Sequence, residues 1–233
     1  MRGGADRLWS YSDFRDLNTL AVAAALSRMA RKGDLHRIRK GLYYRPKKTV
    51  FGESCPSPDA VTDVVLGNRH VRAMNCGSSH YHRLGITTEV GGVLTRAADR
   101  RIRMKGPGGL SLHVVSRPLH RQKGIRPDER TMLDALRDVN HIPGAAAGGV
   151  VRRLKILFRS RKLSFERLAK FTIAEPPRVR AVLGALGEDL KTEGLKIRSQ
   201  DLERLRRSLN FLSAYRIPGM SDSLRHAHSW NIR

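Results

Sequence analysis

The sequence predicts an α+β protein: an N-terminal winged helix-turn-helix over residues 1–50, a mixed α and β region with a helical end over 51–220, and a flexible tail over 221–233. Three observations predict it. Between Asp13 and Lys48 a short polar helix signal, an alanine-rich helix and a basic hairpin follow one another without a spacer. Short aliphatic runs separated by turn residues then occupy the stretch from Gly92 to Val115. Beyond Arg126 the apolar residues recur at helical spacing.

The first elements are short. Ser12 and Asp13 can cap a turn of helix carrying Phe14 and Leu17, and Asn18 and Thr19 offer a second cap immediately afterwards. The helix that follows runs from about Leu20 to Lys32. Val22, Ala25, Leu26 and Met29 fall on one face, which leaves Thr19, Ala23, Ala24, Ser27, Arg28 and Arg31 on the other. Small residues on that outer face let a helix sink into a groove. Gly33 stops the helix, and Leu35, Ile38 and Leu42-Tyr43-Tyr44 read as strands around the turn Arg39-Lys40-Gly41. The tyrosines alternate, so one is expected to pack inward and the other to lie outward beside a bound backbone.

Phe51 to Pro58 reads as a linker closing this first domain. Ser57 and Pro58 then start a helix with Ala60, Val61, Val64 and Val65 on its apolar side, and another helix is expected around Ser79 to Leu84, ending at Gly85. Strands are predicted over Gly92–Thr95, Arg101–Met104 and Leu110–Val115, with turns at Ala98-Asp99 and Gly106-Pro107-Gly108-Gly109. The helices expected next are Thr131–Val139, Val150–Arg159, Ser164–Phe171, Pro177–Leu190 and Asp201–Asn210, interrupted by a Gly/Ala-rich loop over His141–Gly149.

The balance of 45 Lys+Arg against 21 Asp+Glu predicts attraction to polyanions. Residues 1–50 carry 12 basic and 4 acidic side chains, residues 51–145 carry 14 and 9, and the rest 19 and 8. No acid occurs from Leu35 to Gly52, a span holding Arg37, Arg39, Lys40, Arg45, Lys47 and Lys48, as a hairpin tracking a phosphate backbone requires. The C-terminal excess has a blander alternative, arginines scattered over solvated faces by codon usage. No apolar run reaches the roughly 18 residues of a membrane span and the first residues lack a signal-peptide core, so cytoplasmic localisation is expected. Cys55 and Cys76 stand alone, with no close pair and no His spacing of zinc type, which predicts a reducing compartment and no structural metal; no cofactor is expected.

The run ALSRMARKGDLHRIRKGLYYRPK from Ala25 to Lys47 resembles the N-terminal domain of AbiEi-type antitoxins, the DNA-binding partners of type IV toxin-antitoxin systems. The segments CPSPDAV from Cys55, GSSHYHRLGI from Gly77, EPPRVRAVLGAL from Glu175 and LRRSLNFLSAYRI from Leu205 are similar to landmarks of a DUF6088-like branch of that family, so the resemblance extends from about Trp9 to Ile217. It implies a repressor that binds inverted repeats in its own promoter, with possible pairing of two chains on DNA. It also implies that the C-terminal region counteracts a nucleotidyltransferase-like toxin, with or without direct contact. The sequence departs from the pattern in having only Met1 to Tyr11 where a first helix of a winged domain belongs, so either that helix is short or the true start lies upstream.

The expected DNA-binding residues are Thr19, Ala23, Ala24, Ser27, Arg28, Arg31, Lys32, Arg37, Arg39, Lys40 and Arg45. Arg28 has two open roles: a fork onto guanine in the major groove, or an ion pair with Asp13 or Asp16. Arg31, Lys32 and Lys40 suit phosphate contact.

Catalytic signals are sparse, and no enzyme activity is expected. His80 and His82 would share a face on a strand but diverge on a helix, and a third metal ligand is not evident. His226 and His228 are expected to be solvated in the tail. Gly106-Pro107-Gly108-Gly109 lacks the Gly-Lys-Ser/Thr of a phosphate loop, and Gly77-Ser78-Ser79 lacks the Asp-x-Asp partner that nucleotidyl transfer needs to hold metal ions. Two further classes stay open: a general basic RNA- or DNA-binding protein without a toxin partner, and an enzyme whose site is assembled from distant residues.

Overall fold

The computed structural model describes residues 7–50, 52–89, 93–105, 111–210 and 212–233. It is a mixed α/β protein of three small sheets and, among the described residues, eight α-helices. The chain divides into two compact units, Met1–Ala73 with Arg103–His113, and Met74–Ile102 with Val114–Arg233.

In the first unit, strand β1 (Leu8–Ser10) leads into a 3-10 turn over Tyr11–Phe14, then α1 (Thr19–Arg31), β2 (His36–Arg39) and β3 (Leu42–Tyr44). The sheet order is β1-β3-β2, antiparallel throughout, with Trp9 opposite Tyr43 and Arg37 opposite Tyr43 on the other side. The turn starts because the Asp13 carboxylate accepts from the Ser10 amide at 2.6 Å and from its hydroxyl at 2.9 Å. Helix α1 starts because the Asn18 side chain accepts from Leu20 and Ala21 amides that have no intrahelical partner.

Alternation along β3 explains the packing. Tyr43 faces α1 and joins Val22, Leu26 and Leu35 in one small core; Leu42 faces the other way and joins Val61 and Val65 of helix α2 (Pro58–Gly67) in a second. Ser57 caps α2 with Pro58 in its first turn, as the sequence predicts. The helix nonetheless belongs to the N-terminal unit: the expected boundary at residue 50 is crossed because the back of the sheet needs an apolar cover. A further short hairpin pairs β4 (Lys48–Thr49) with β5 (Gly52–Glu53).

Strands β6 (Ala73–Cys76), β7 (Leu94–Ala98), β8 (Ile102–Lys105) and β9 (Ser111–Ser116) form a four-stranded sheet in the order β6-β7-β9-β8. Helix α3 (Ser78–Arg83) follows β6. Gly77 makes that junction at φ +87°, with a Cβ at this site lying 2.7 Å from the Thr95 Cβ, so the Gly-Ser-Ser run serves a tight turn. The expected turn at 106–109 lies outside the described residues.

The second unit is built around α7 (Pro177–Thr192), surrounded by α4 (Pro127–Arg137), α5 (Ala147–Arg159), α6 (Phe165–Thr172) and α8 (Ser199–Arg207). Val179, Ala181–Gly187 and Leu190 are all buried, so α7 shows no polar face over most of its length. Gly184 is what admits its neighbour: a Cβ there would meet the Trp230 ring at 2.1 Å. The expected flexible tail over 221–233 is therefore a correction. Leu224, Ala227, Trp230 and Ile232 are buried, Tyr215 bridges Ile232, and His226 Nδ1 lies 2.8 Å from the buried Asp189 carboxylate rather than in solvent.

Candidate nucleic-acid interface

Helix α1 turns Val22 and Leu26 inward, with Met29 and Ala30 partly buried beside them. Helical geometry then sends Ala24, Arg28 and Arg31 to the exposed side, with Ala23 and Ser27 half-buried at its margin; Thr19 shares the side of Val22 and Leu26 and stands open because it is the first residue of the helix. The Ser27 hydroxyl is 3.4 Å from the Tyr43 hydroxyl, a contact linking the margin of this face to the sheet behind it. Burial, together with a hydrogen bond to Tyr43, raises the Tyr11 phenol above its ordinary value.

The hairpin alternates. His36 and Ile38 are half-buried while Arg37 and Arg39 point out. Lys40 and Gly41 make the turn; Gly41 sits at φ +79° with the Tyr11 ring only 3.0 Å from where a Cβ would stand, so a side chain is excluded twice over. Arg45 follows β3 and is exposed, as are Lys47 and Lys48 at the second hairpin, which belong to the same surface run though not to the expected DNA-binding set. The expected outward tyrosine is corrected. Tyr43 and Tyr44 are both buried, because Tyr44 packs edge-on to His36 at 5.4 Å between ring centres, its hydroxyl 3.2 Å from His36 Nδ1.

Among the described residues, Arg28, Arg31, Lys32, Arg37, Arg39, Lys40 and Arg45 make no ion pair. The alternative role of Arg28 as a partner of Asp13 or Asp16 is not realised: Asp13 is spent on capping the turn at Ser10. Nearby, Glu53 lies 3.2 Å from His36 Nε2 in an exposed pair. An arrangement of exposed, unneutralised guanidinium and ammonium groups around a small-residue helix face can bind phosphate oxygens along a groove.

Residues 8–106 match the model of DUF6088, a family of unknown function. No curated protein matches the chain. Among solved structures, the chain is similar to the RV2827C protein from Mycobacterium tuberculosis, at 14% identity over 90% of this chain and 79% of that one, with a TM-score of 0.49. The match to DUF6088 begins at the first residue of β1 and takes in the whole cationic surface.

Elsewhere, the described residues contain no group of three His, Cys, Asp or Glu side chains placed to hold a metal. His80 is buried and His82 exposed, the divergence expected of residues two apart on a helix. Cys76 is buried, and that burial pushes its thiol well above the ordinary range. Among the described residues no helix is long and apolar enough to cross a membrane.

Proposed function

We propose that the N-terminal unit binds double-stranded DNA as a winged helix, with α1 entering the major groove and the β2–β3 hairpin lying along the adjacent backbone. The observation that carries this reading is the set of seven cations without an acidic partner on α1, on β2 and at its turn, and just beyond β3. The connectivity supports it: a strand, a turn of helix, a longer helix and a hairpin, with the first strand pairing against the last, is the order in which a winged domain mounts its recognition helix. Residues 1–6, where a preceding helix belongs, lie outside the described residues.

In this reading Ala23, Ala24 and Thr19 let the helix approach base edges, and Arg28 takes the guanine-reading role left to it once its ion-pair role is set aside. Arg31, Lys32, Arg37, Arg39, Lys40 and Arg45 meet phosphates. By the resemblance to AbiEi-type antitoxins, the bound sequence is an inverted repeat in the chain's own promoter and the outcome is repression, while the second unit counteracts a nucleotidyltransferase-like toxin. Co-expression with the product of the neighbouring reading frame tests that second part, since restored growth is expected and continued toxicity would remove it.

The DNA reading is tested by fluorescence anisotropy of the full chain on its upstream duplex, a scrambled duplex and a structured RNA across a salt series. The upstream duplex is expected to bind more than about a hundredfold tighter at physiological salt. Neutralisation of about 5 phosphates predicts a slope of log K on log salt of roughly −4 to −5. Equal affinity for the three nucleic acids would reduce the surface to a general polyanion binder.

A further inference from the structure

A cavity of about 530 Å³ opens in the second unit where the end of α5 meets the start of α6, the segment after α7 and the start of α8. Its floor is apolar: Phe158, Leu163 and Phe165 are buried there, with Leu195 and Ile197 alongside. Its rim is cationic, and the cations are of two kinds. Arg159 is held by Glu193 at 2.6 Å, and Arg198 by Glu166 at 2.8 Å and by Asp201 at 3.0 Å. Arg161 and Lys196 line the same space and, among the described residues, pair with no carboxylate. The volume lies within the range of small-molecule sites, which join an apolar wall to a few placed polar groups.

The backbone under Arg161 adds a second, independent observation. Helix α5 ends in a tight reversal in which the Arg161 amide donates to the Phe158 carbonyl and the Lys162 amide to that of Leu157, with Arg161 at φ +55°. Glycine is the ordinary residue for that position, and α7 uses it: Gly194, at φ +89° on the rim of the same cavity, makes the equivalent reversal. The other non-glycine residues at positive φ among the described residues are His70 and Asn231, of types that tolerate the left-handed region. Arginine adopts it less readily. An unpaired guanidinium at this strained position on the rim of the cavity keeps all its donors for a charge from outside the chain.

We infer that this cavity is a binding site for a small amphipathic anion, an apolar body seated on Phe158, Leu163, Phe165 and Ile197 with its carboxylate or other anionic head between Arg161 and Lys196. This site is separate from the cationic surface of α1 and does not rest on the DNA reading. Each half of the ligand answers one half of the wall. A bare inorganic anion lacks the apolar half, and a neutral alcohol lacks the charge that the two free cations meet.

The test is titration of the full chain with decanoate, decanol, decylammonium and acetate, followed by calorimetry and by the resonances of Phe158, Leu163, Phe165 and Ile197. Decanoate is expected to saturate and to shift those resonances, with acetate and decylammonium at least about tenfold weaker. Arg161→Gly relieves the strained backbone, so its melting midpoint should stay within about 3 °C of the parent. Its dissociation constant for decanoate should rise at least about fivefold, and Lys196→Gln should act in the same direction. Failure of decanoate to saturate at millimolar concentration, equal binding of decanol, or an unchanged dissociation constant in the folded Arg161→Gly protein would each overturn the assignment.

Discussion

The two units carry similar chemistry and spend it differently. In the second unit a buried set of cations is answered by acids, although exposed ones such as Arg161 and Lys196 are not. Arg130, without solvent exposure, reaches Asp134 at 3.0 Å, Glu175 at 2.7 Å and the Gln122 carbonyl at 2.5 Å. Arg117 bonds to Asp134 and reaches Asp138 at 2.8 Å, and Arg137 meets the far side of Glu175 at 2.6 Å. Lys155 lies between Asp189 and Glu193, and Arg167 and Arg126 share Glu129. In the first unit the cations of α1 and its hairpin meet no acid among the described residues. A guanidinium inside an ion network has its hydrogen bonds already made and offers little to a phosphate, whereas an exposed, unanswered one keeps all its donors. Part of the second unit's positive charge is thereby taken up inside the molecule, while the cations of α1 and its hairpin keep theirs at the surface.

Removing a cation should therefore have opposite consequences in the two units, and the largest effect is expected at Arg130. Arg130→Met leaves the buried Asp134 and Glu175 with one guanidinium each, Arg117 and Arg137, and should cost about 3 kcal/mol in a urea unfolding titration. A loss under about 1 kcal/mol would mean that the network is not what separates the units.

Acid should undo the same network. Burial pushes the Glu175 carboxyl up, but the Arg130 and Arg137 guanidiniums outweigh it and hold the group below the usual carboxylate range; Asp189 is held down similarly by Lys155 and His226. Carboxylates lowered on folding contribute stability that is complete above their unfolded values and fades as pH falls through the folded ones. The second unit should then lose several kcal/mol from about pH 4.5 downward, visible as a falling melting midpoint. Asp138, raised by its burial in spite of Arg117, works in the opposite sense and blunts the effect.

In the first unit, Arg39→Ala with Lys40→Ala should leave the unfolding free energy within about 0.5 kcal/mol. The same pair should lower the salt slope of DNA binding by about 2, with similar losses on every duplex. A stability loss as large as that of Arg130→Met would show that these cations have partners after all. The smallest effect belongs to the exposed His36–Glu53 pair, where Glu53→Gln should change stability by less than about 1 kcal/mol at pH 6.

Much of the first unit was legible because its signals are local. Asn18, the spacing of Val22 and Leu26, Gly33 and the turn at Gly41 each act within a few residues, and α1 runs where the pattern puts it. Strand β1 was missed: Leu8-Trp9-Ser10 is too short to register a period, and only its pairing with β3 makes it a strand. Helix α2 shows an apolar side, but an apolar side does not say which sheet it will cover.

In the second unit, α4 begins at Pro127, ahead of the expected Thr131, and so takes in Glu129 and Arg130; these and Asp134 are buried, since their partners Arg167, Glu175 and Arg117 come from elsewhere in the chain. The tail was misjudged for a related reason. Met220, Leu224, Ala227 and Trp230 resemble scattered residues until Gly184 supplies the recess that Trp230 enters. The cavity above Arg161 has no sequence signature, because its wall comes from segments that meet only after folding.

The first unit's small cores have a consequence for how it behaves when nothing is bound. Val22, Leu26, Leu35 and Tyr43 on one side of the sheet, and Leu42, Val61 and Val65 on the other, must hold together a surface whose like charges push apart. Every phosphate that settles among them removes repulsion as well as adding contact. Amide hydrogens of α1 should accordingly exchange faster than those of α7 in the free protein, and a polyanion should slow the first while leaving the second alone.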